Sequence, residues 1–137
     1  AVDIDALVMP GGQGMGMNLS TFLMDGSEHD VHPELLRLVG EMMEAKKPIG
    51  AICISPVILA IALSKLGVKA KLTIGNNKKV AAVIENLGHR HVECPPYESV
   101  LDEDNRIVTT PAYMSAKSIG ELWLGIDRLV SIVIGMV

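Results

Sequence analysis

Aromatic side chains are scarce: one Trp, two Tyr and one Phe, 3% of 137 residues. A core must therefore be filled by Val, Ile, Leu, Ala and the eight Met, which the 49% hydrophobic content allows for one domain. Positive charge is not in excess. The formal net charge of −4 gives no electrostatic case for nucleic acid or an anionic membrane as partner. Long hydrophobic runs are missing too: the longest, Val57 to Leu63, is far short of a membrane span, and no secretory signal is visible. Cysteine is limited to Cys53 and Cys94, too few for a disulfide framework, so a reducing, cytoplasmic setting is expected. An initiator Met is also lacking, and the chain enters an apolar strand almost at once, at Ala6-Leu7-Val8-Met9. A parallel strand of this kind needs neighbours, so residues 1–137 are expected to be the C-terminal portion of one longer domain.

What is present alternates between strand and helix. Asp5–Met9 reads as a strand running into the loop Gly11-Gly12-Gln13-Gly14-Met15-Gly16 and a polar segment to about Val31. Pro33 opens a helix to about Ala45, with Leu35, Leu36, Val39, Met42 and Met43 at helical spacing. Pro48–Ile52 is a short branched strand, and its following helix ends at Gly67. Lys71–Ile74 is a further strand; Asn76 or Asn77 caps a helix carrying Val80, Val83, Ile84 and Leu87, ended by Gly88. Glu98–Leu101 and Arg106–Thr110 flank the turn Asp102-Glu103-Asp104-Asn105 as a hairpin. A long helix from about Ser115 places Ile119, Leu122, Trp123, Ile126, Leu129, Val130 and Val133 at 3.6-residue spacing. Such alternation predicts an α/β sandwich with a mainly parallel sheet.

Chemistry concentrates at Ile52-Cys53-Ile54-Ser55-Pro56. Ser55 suits an N-cap and Pro56 a first helical residue, so Cys53 falls where strand hands over to helix. Backbone N–H groups and the positive helix end there favour a thiolate, the form that attacks carbonyls. A small buried hydrophobe is the alternative. The glycine loop lacks the third glycine of G-x-G-x-x-G and the Lys-Ser/Thr of a P-loop. It reads either as a tight turn or as a source of backbone N–H from Gly11 or Gly12 for an oxyanion hole. Both features lie at C-terminal strand ends, where ligands of parallel α/β sheets sit. His89, His91 and Glu93 alternate beside Cys94, which a polar strand face explains as well as a metal; no metal or cofactor is expected. His29 and His32 read as solvated or capping residues, and Asp102-Glu103-Asp104 as an exposed turn.

Several segments, in order, resemble the ElbB family. They are Asp5-Ala6-Leu7-Val8-Met9-Pro10-Gly11-Gly12 with Asn18-Leu19-Ser20-Thr21-Phe22, and Lys47-Pro48-Ile49-Gly50 with Cys53-Ile54-Ser55-Pro56. Leu72-Thr73-Ile74-Gly75, the run Asp102 to Met114, and Gly125-Ile126-Asp127-Arg128-Leu129-Val130 extend the likeness over nearly the whole chain. This family belongs to the ThiJ/PfpI, or class I glutamine amidotransferase-like, superfamily. The resemblance implies a flavodoxin-like sandwich, a homodimer, and a cofactor-independent glyoxalase that converts methylglyoxal or glyoxal to lactate or glycolate. It also implies a link to isoprenoid biosynthesis. Cys53 would be the nucleophile, with the backbone at Gly11, Gly12 and Ile54 polarising the substrate oxygen.

The likeness has departures. Glyoxalases of the superfamily place a glutamate beside the cysteine from a region before this chain's first residue; Asp25 and Glu28 are poor substitutes by position. Ile54 follows Cys53 where PfpI-type proteases have His, and Thr109-Thr110-Pro111-Ala112 stands where amidotransferases have His-x-Glu. A redox-sensing or chaperone-like homodimer using Cys53 is the alternative from another class, and a binding subunit with an inert Cys53 a third.

Overall fold

The computed structural model describes residues 1–24 and 28–137. The elements run β1 (Leu7–Met9), α1 (Gln13–Asn18), α2 (Pro33–Glu44), β2 (Ile49–Ile52), α3 (Ser55–Lys65), β3 (Lys71–Leu72), α4 (Lys78–Asn86), β4 (Arg90–His91), β5 (Val100–Asp102), β6 (Ile107–Thr110) and α5 (Ile119–Gly135). A four-stranded sheet has the order β1-β2-β6-β5, parallel between β1, β2 and β6 and antiparallel between β6 and β5. β3 and β4 form a separate parallel pair. This is the expected flavodoxin-like α/β sandwich.

Strand alternation assigns the two faces. Ile49, Ala51 and Ile107 join the larger core with Val39 and Met42 of α2 and the apolar side chains of α3. Ile52 and Val108 face the other way, onto Leu129 and Val133 of α5. Every residue of α3 from Ser55 to Leu63 is buried, which is why it reads as an unbroken apolar run with no polar stripe. Gly50 is required where α5 crosses β2: a Cβ there would come within 2.8 Å of the Leu129 side chain.

Four local expectations need correction. The glycine stretch is not loop throughout; Gly12, at φ 106°, lets the chain turn into the short helix α1. Ser55 is the first residue of α3 and Ile54 precedes it as cap, so the Ser55 hydroxyl is free to bond elsewhere. Asp102 is buried rather than exposed: its carboxylate accepts from the amides of Lys71 (2.7 Å) and Asn105 (3.1 Å) and from Asn105 Nδ2 (2.9 Å). It thereby ties the β5–β6 turn to β3. The last helix begins later than Ser115, at Ile119, because Ala112–Met114 makes a separate 3₁₀ turn and Ser118 is the cap, accepting from Glu121 N.

The histidines of the β4 region have structural partners. His89 is buried; its Nδ1 accepts from Ala70 N (3.2 Å), so Nε2 carries the proton and donates to Ala60 O (2.8 Å). His91 Nε2 accepts from Ile74 N (3.2 Å). Burial pushes both imidazoles below their ordinary pKa, opposed at His89 by its bond to Ala60 and at His91 by Glu85 and Glu93. The unfolded chain therefore binds more protons than the folded one as pH falls through the ordinary imidazole range. Stability should be fully present above that range and decline below it, as urea unfolding across mildly acidic pH would show. The decline should be shallower in His89→Gln, whose amide does not titrate; an identical slope would contradict this assignment.

Candidate functional site

Cys53 follows β2 directly and adopts φ 63°, a left-handed conformation that costs a non-glycine residue about 1–3 kcal/mol. The surrounding chain holds it there. Its amide donates to Thr110 O at 3.0 Å, carrying the β2–β6 pairing one residue past the strand, and its backbone then enters α3. The side chain is half-buried, beside the core of Ile52, Val108 and Ala112. Ala112 itself has φ 46°, so the chain leaves both neighbouring strands through left-handed residues.

The turn after β1 closes over this corner. A Cβ on Gly11 would lie 2.3 Å from Cys53 Cβ and 3.1 Å from its Sγ, so only glycine permits the approach. Gly12 is exposed, with nothing within 4 Å of the equivalent position. Among the described residues the amides of Gly11, Gly12 and Ile54 donate to no acceptor. Gly11 is thus brought against the sulfur; Gly12 follows Gly11 as the cap of α1, and Ile54 follows Cys53 as the cap of α3. Uncommitted backbone donors beside a half-exposed sulfur suit nucleophilic attack on a carbonyl, whose oxygen gains negative charge as the bond forms.

The remaining residues lie elsewhere. Glu28 is exposed and lines a surface cavity with His29, Asp30 and Lys65. Lys65 ends α3, about 15 Å along the helix from Ser55. The structure therefore does not bring Glu28 to Cys53, and Asp25 lies outside the described residues. His32 caps α2, its Nδ1 accepting from Glu34 N at 3.2 Å, and His29 packs edge-on against Phe22. Cys94 is buried beside the Pro95-Pro96 turn, and burial, with Glu98 nearby, pushes its thiol up to about 11. Among the described residues no three metal-binding side chains converge, and no side-chain base hydrogen-bonds Cys53 Sγ.

Sequence reasoning missed Thr110 and Pro10. Thr110 matters through its carbonyl, and a carbonyl carries no residue-type signal. Its position opposite Cys53 follows from a β2–β6 pairing that spans more than fifty residues, which local pattern does not reveal.

Comparison with known proteins agrees with this architecture. No protein-family model matches the chain. It is 35% identical over 139 residues to the human glutamine amidotransferase-like class 1 domain-containing protein 3, mitochondrial, covering 95% of this chain and 50% of that protein. The chain thus spans about half the length of the curated relatives it matches. Among solved structures it superposes on an isoprenoid biosynthesis protein with amidotransferase-like domain from Ehrlichia chaffeensis. There the TM-score is 0.87 and the identity 38%, over 99% of this chain and 61% of that one. DJ-1beta of Drosophila melanogaster gives a TM-score of 0.53 at 25% identity, over 98% and 64%. These likenesses support the ThiJ/PfpI-like superfamily as the chain's place. No helix among the described residues is long and apolar enough to cross a membrane, and the human relative's name gives mitochondria rather than cytoplasm.

The contact of Gly11 with Cys53 yields a direct expectation. Gly11→Ala should cost about 2 kcal/mol of stability, since the added carbon meets the Cys53 stem close to the backbone. Denaturant unfolding that matches wild type would show that the turn yields freely.

Proposed function

We propose that the protein is a cofactor-independent glyoxalase of the ElbB type, acting on methylglyoxal or glyoxal through Cys53. One observation carries this reading: a half-exposed cysteine held in a left-handed conformation at a strand end, with the Gly11-Gly12 turn against its sulfur. The thiolate adds to the aldehyde carbon and gives a hemithioacetal. A proton moves from that carbon to the adjacent one through an enediol, producing a thioester. Water then cleaves the thioester and regenerates the thiol, so methylglyoxal plus water becomes lactate. The amides of Gly11, Gly12 and Ile54 are proposed as donors to the developing oxyanion, each such donor being worth about 3 kcal/mol.

The proton transfer needs a base, and none among the described residues bonds the sulfur. We therefore propose that residues 1–137 form the C-terminal portion of one domain and that further polypeptide of the same protein supplies the carboxylate. Two exposed apolar surfaces support this. β1 is an edge strand with Val8 exposed, and α5 carries Ile119, Trp123, Val130 and Ile134 along an outward arc. A homodimer is proposed from the ElbB resemblance. The name of the Ehrlichia chaffeensis neighbour supports a link to isoprenoid biosynthesis. The two free cysteines support a reducing compartment; the cytoplasmic expectation rests on them alone.

The test is lactate formation from methylglyoxal by the full-length gene product, its Cys53→Ser variant and residues 1–137 alone, with the solution mass of each. Lactate should come from the full-length dimer and fall at least 10³-fold in the variant and in the fragment. A well-folded full-length protein that yields none would favour the redox-sensing reading, in which Cys53 is oxidised without turnover. An active fragment would remove the need for further polypeptide, and a monomeric mass would remove the dimer.

A further inference from the structure

Ser55 carries an interaction that neither its helix nor its burial requires. The residue is fully buried at the first position of α3, one past the cap Ile54, so its hydroxyl is not committed to capping. Its Oγ instead donates across to Pro10 O, in the turn after β1. Pro10 has no N–H, so its carbonyl is its only backbone group able to form a hydrogen bond, and the ladder between β1 and β2 stops before it. That carbonyl shares one rigid plane with the amide of Gly11, and in a trans peptide the two point in opposite directions. Holding Pro10 O therefore fixes the direction of the Gly11 N–H and the approach of Gly11 to Cys53, where a Cβ would stand 3.1 Å from Sγ.

We propose that Ser55 is a positioning residue: its hydroxyl clamps the Pro10-Gly11 peptide and so holds the glycine turn in place against the Cys53 sulfur. The clamp joins the two segments that meet at the site, the end of β1 and the start of α3. It explains why a serine is buried at a position where alanine would pack with less polar cost. The proposal rests on Cys53 being the nucleophile, and it adds how the turn's donors are held.

The experiment compares Ser55→Ala and Ser55→Thr with wild type in the full-length protein. It follows the rate of Cys53 alkylation by iodoacetamide at neutral pH, and kcat and KM for methylglyoxal. Without the hydroxyl the turn relaxes by some fraction of an ångström, which should slow alkylation several-fold and lower kcat on the order of tenfold with KM little changed. Ser55→Thr, which keeps the hydroxyl, should recover most of both losses although it crowds the core more. Should Ser55→Ala not fold, Ser55→Cys is read in its place, with the label mapped to Cys53 by mass spectrometry, since a thiol fills the space of the hydroxyl but is a weak donor. An alkylation rate equal to or above wild type without the hydroxyl would overturn the clamp, as would Ser55→Thr failing to recover either loss. Because alkylation needs no turnover, it tests the clamp even if wild type produces no lactate, an outcome that would count against the glyoxalase alone.

Discussion

The structure around the candidate site depends on one backbone constraint: Cys53 must turn left-handed the moment β2 ends. Three features make that tolerable. Thr110 O takes the Cys53 amide, so the strand pairing still holds the residue after its regular geometry has ended. Helix α3 begins at once and is buried from Ser55 to Leu63, so the chain has no freedom to relax by shifting the helix. Gly11 leaves the volume that any other residue would fill. The cost of the conformation, about 1–3 kcal/mol, is offset by the surrounding packing, and the side chain is left half-buried at the strand end.

The same arrangement leaves the molecule asymmetric. On one face α2 and α3 cover β1, β2 and β6 with a continuous apolar core. On the other, among the described residues, α5 packs on β2 and β6, and its apolar residues extend past the sheet contact: Trp123 is 60% exposed and Ile134 66%. The apolar arc of α5 is therefore wider than the stripe it buries against the sheet. The edge strand β1, whose end feeds the glycine turn, exposes Val8 as well.

Much of this was legible in the sequence. The handover from strand to helix at Cys53 showed in Pro48–Ile52 followed by Ser55-Pro56, because strand and helix signals there are both local. The hairpin of β5 and β6 showed likewise, through the polar turn between two branched runs. What local signals could not carry was side-chain destination. Ser55 has the composition of a cap but serves Pro10; Asp102 looks like an exposed turn residue but is buried against the amides of Lys71 and Asn105. Pro10 and Lys71 come from distant segments, so a tertiary contact decided each side chain's place where local pattern could not. α5 misled in the opposite sense: its helical spacing was right, but Ile119, Trp123 and Val130 point outward, since spacing locates an apolar face without saying what meets it.

If the fold presents Cys53 as the reactive nucleophile, the two cysteines must differ sharply in reactivity. The native protein would be treated with a limiting amount of iodoacetamide, digested, and mapped by mass spectrometry. Cys53 is half-exposed at the strand end, whereas Cys94 is buried with its thiol pushed up to about 11. Label is expected on Cys53, with Cys94 unmodified until the protein is unfolded. Equal labelling of the two, or labelling of Cys94 first, would contradict it.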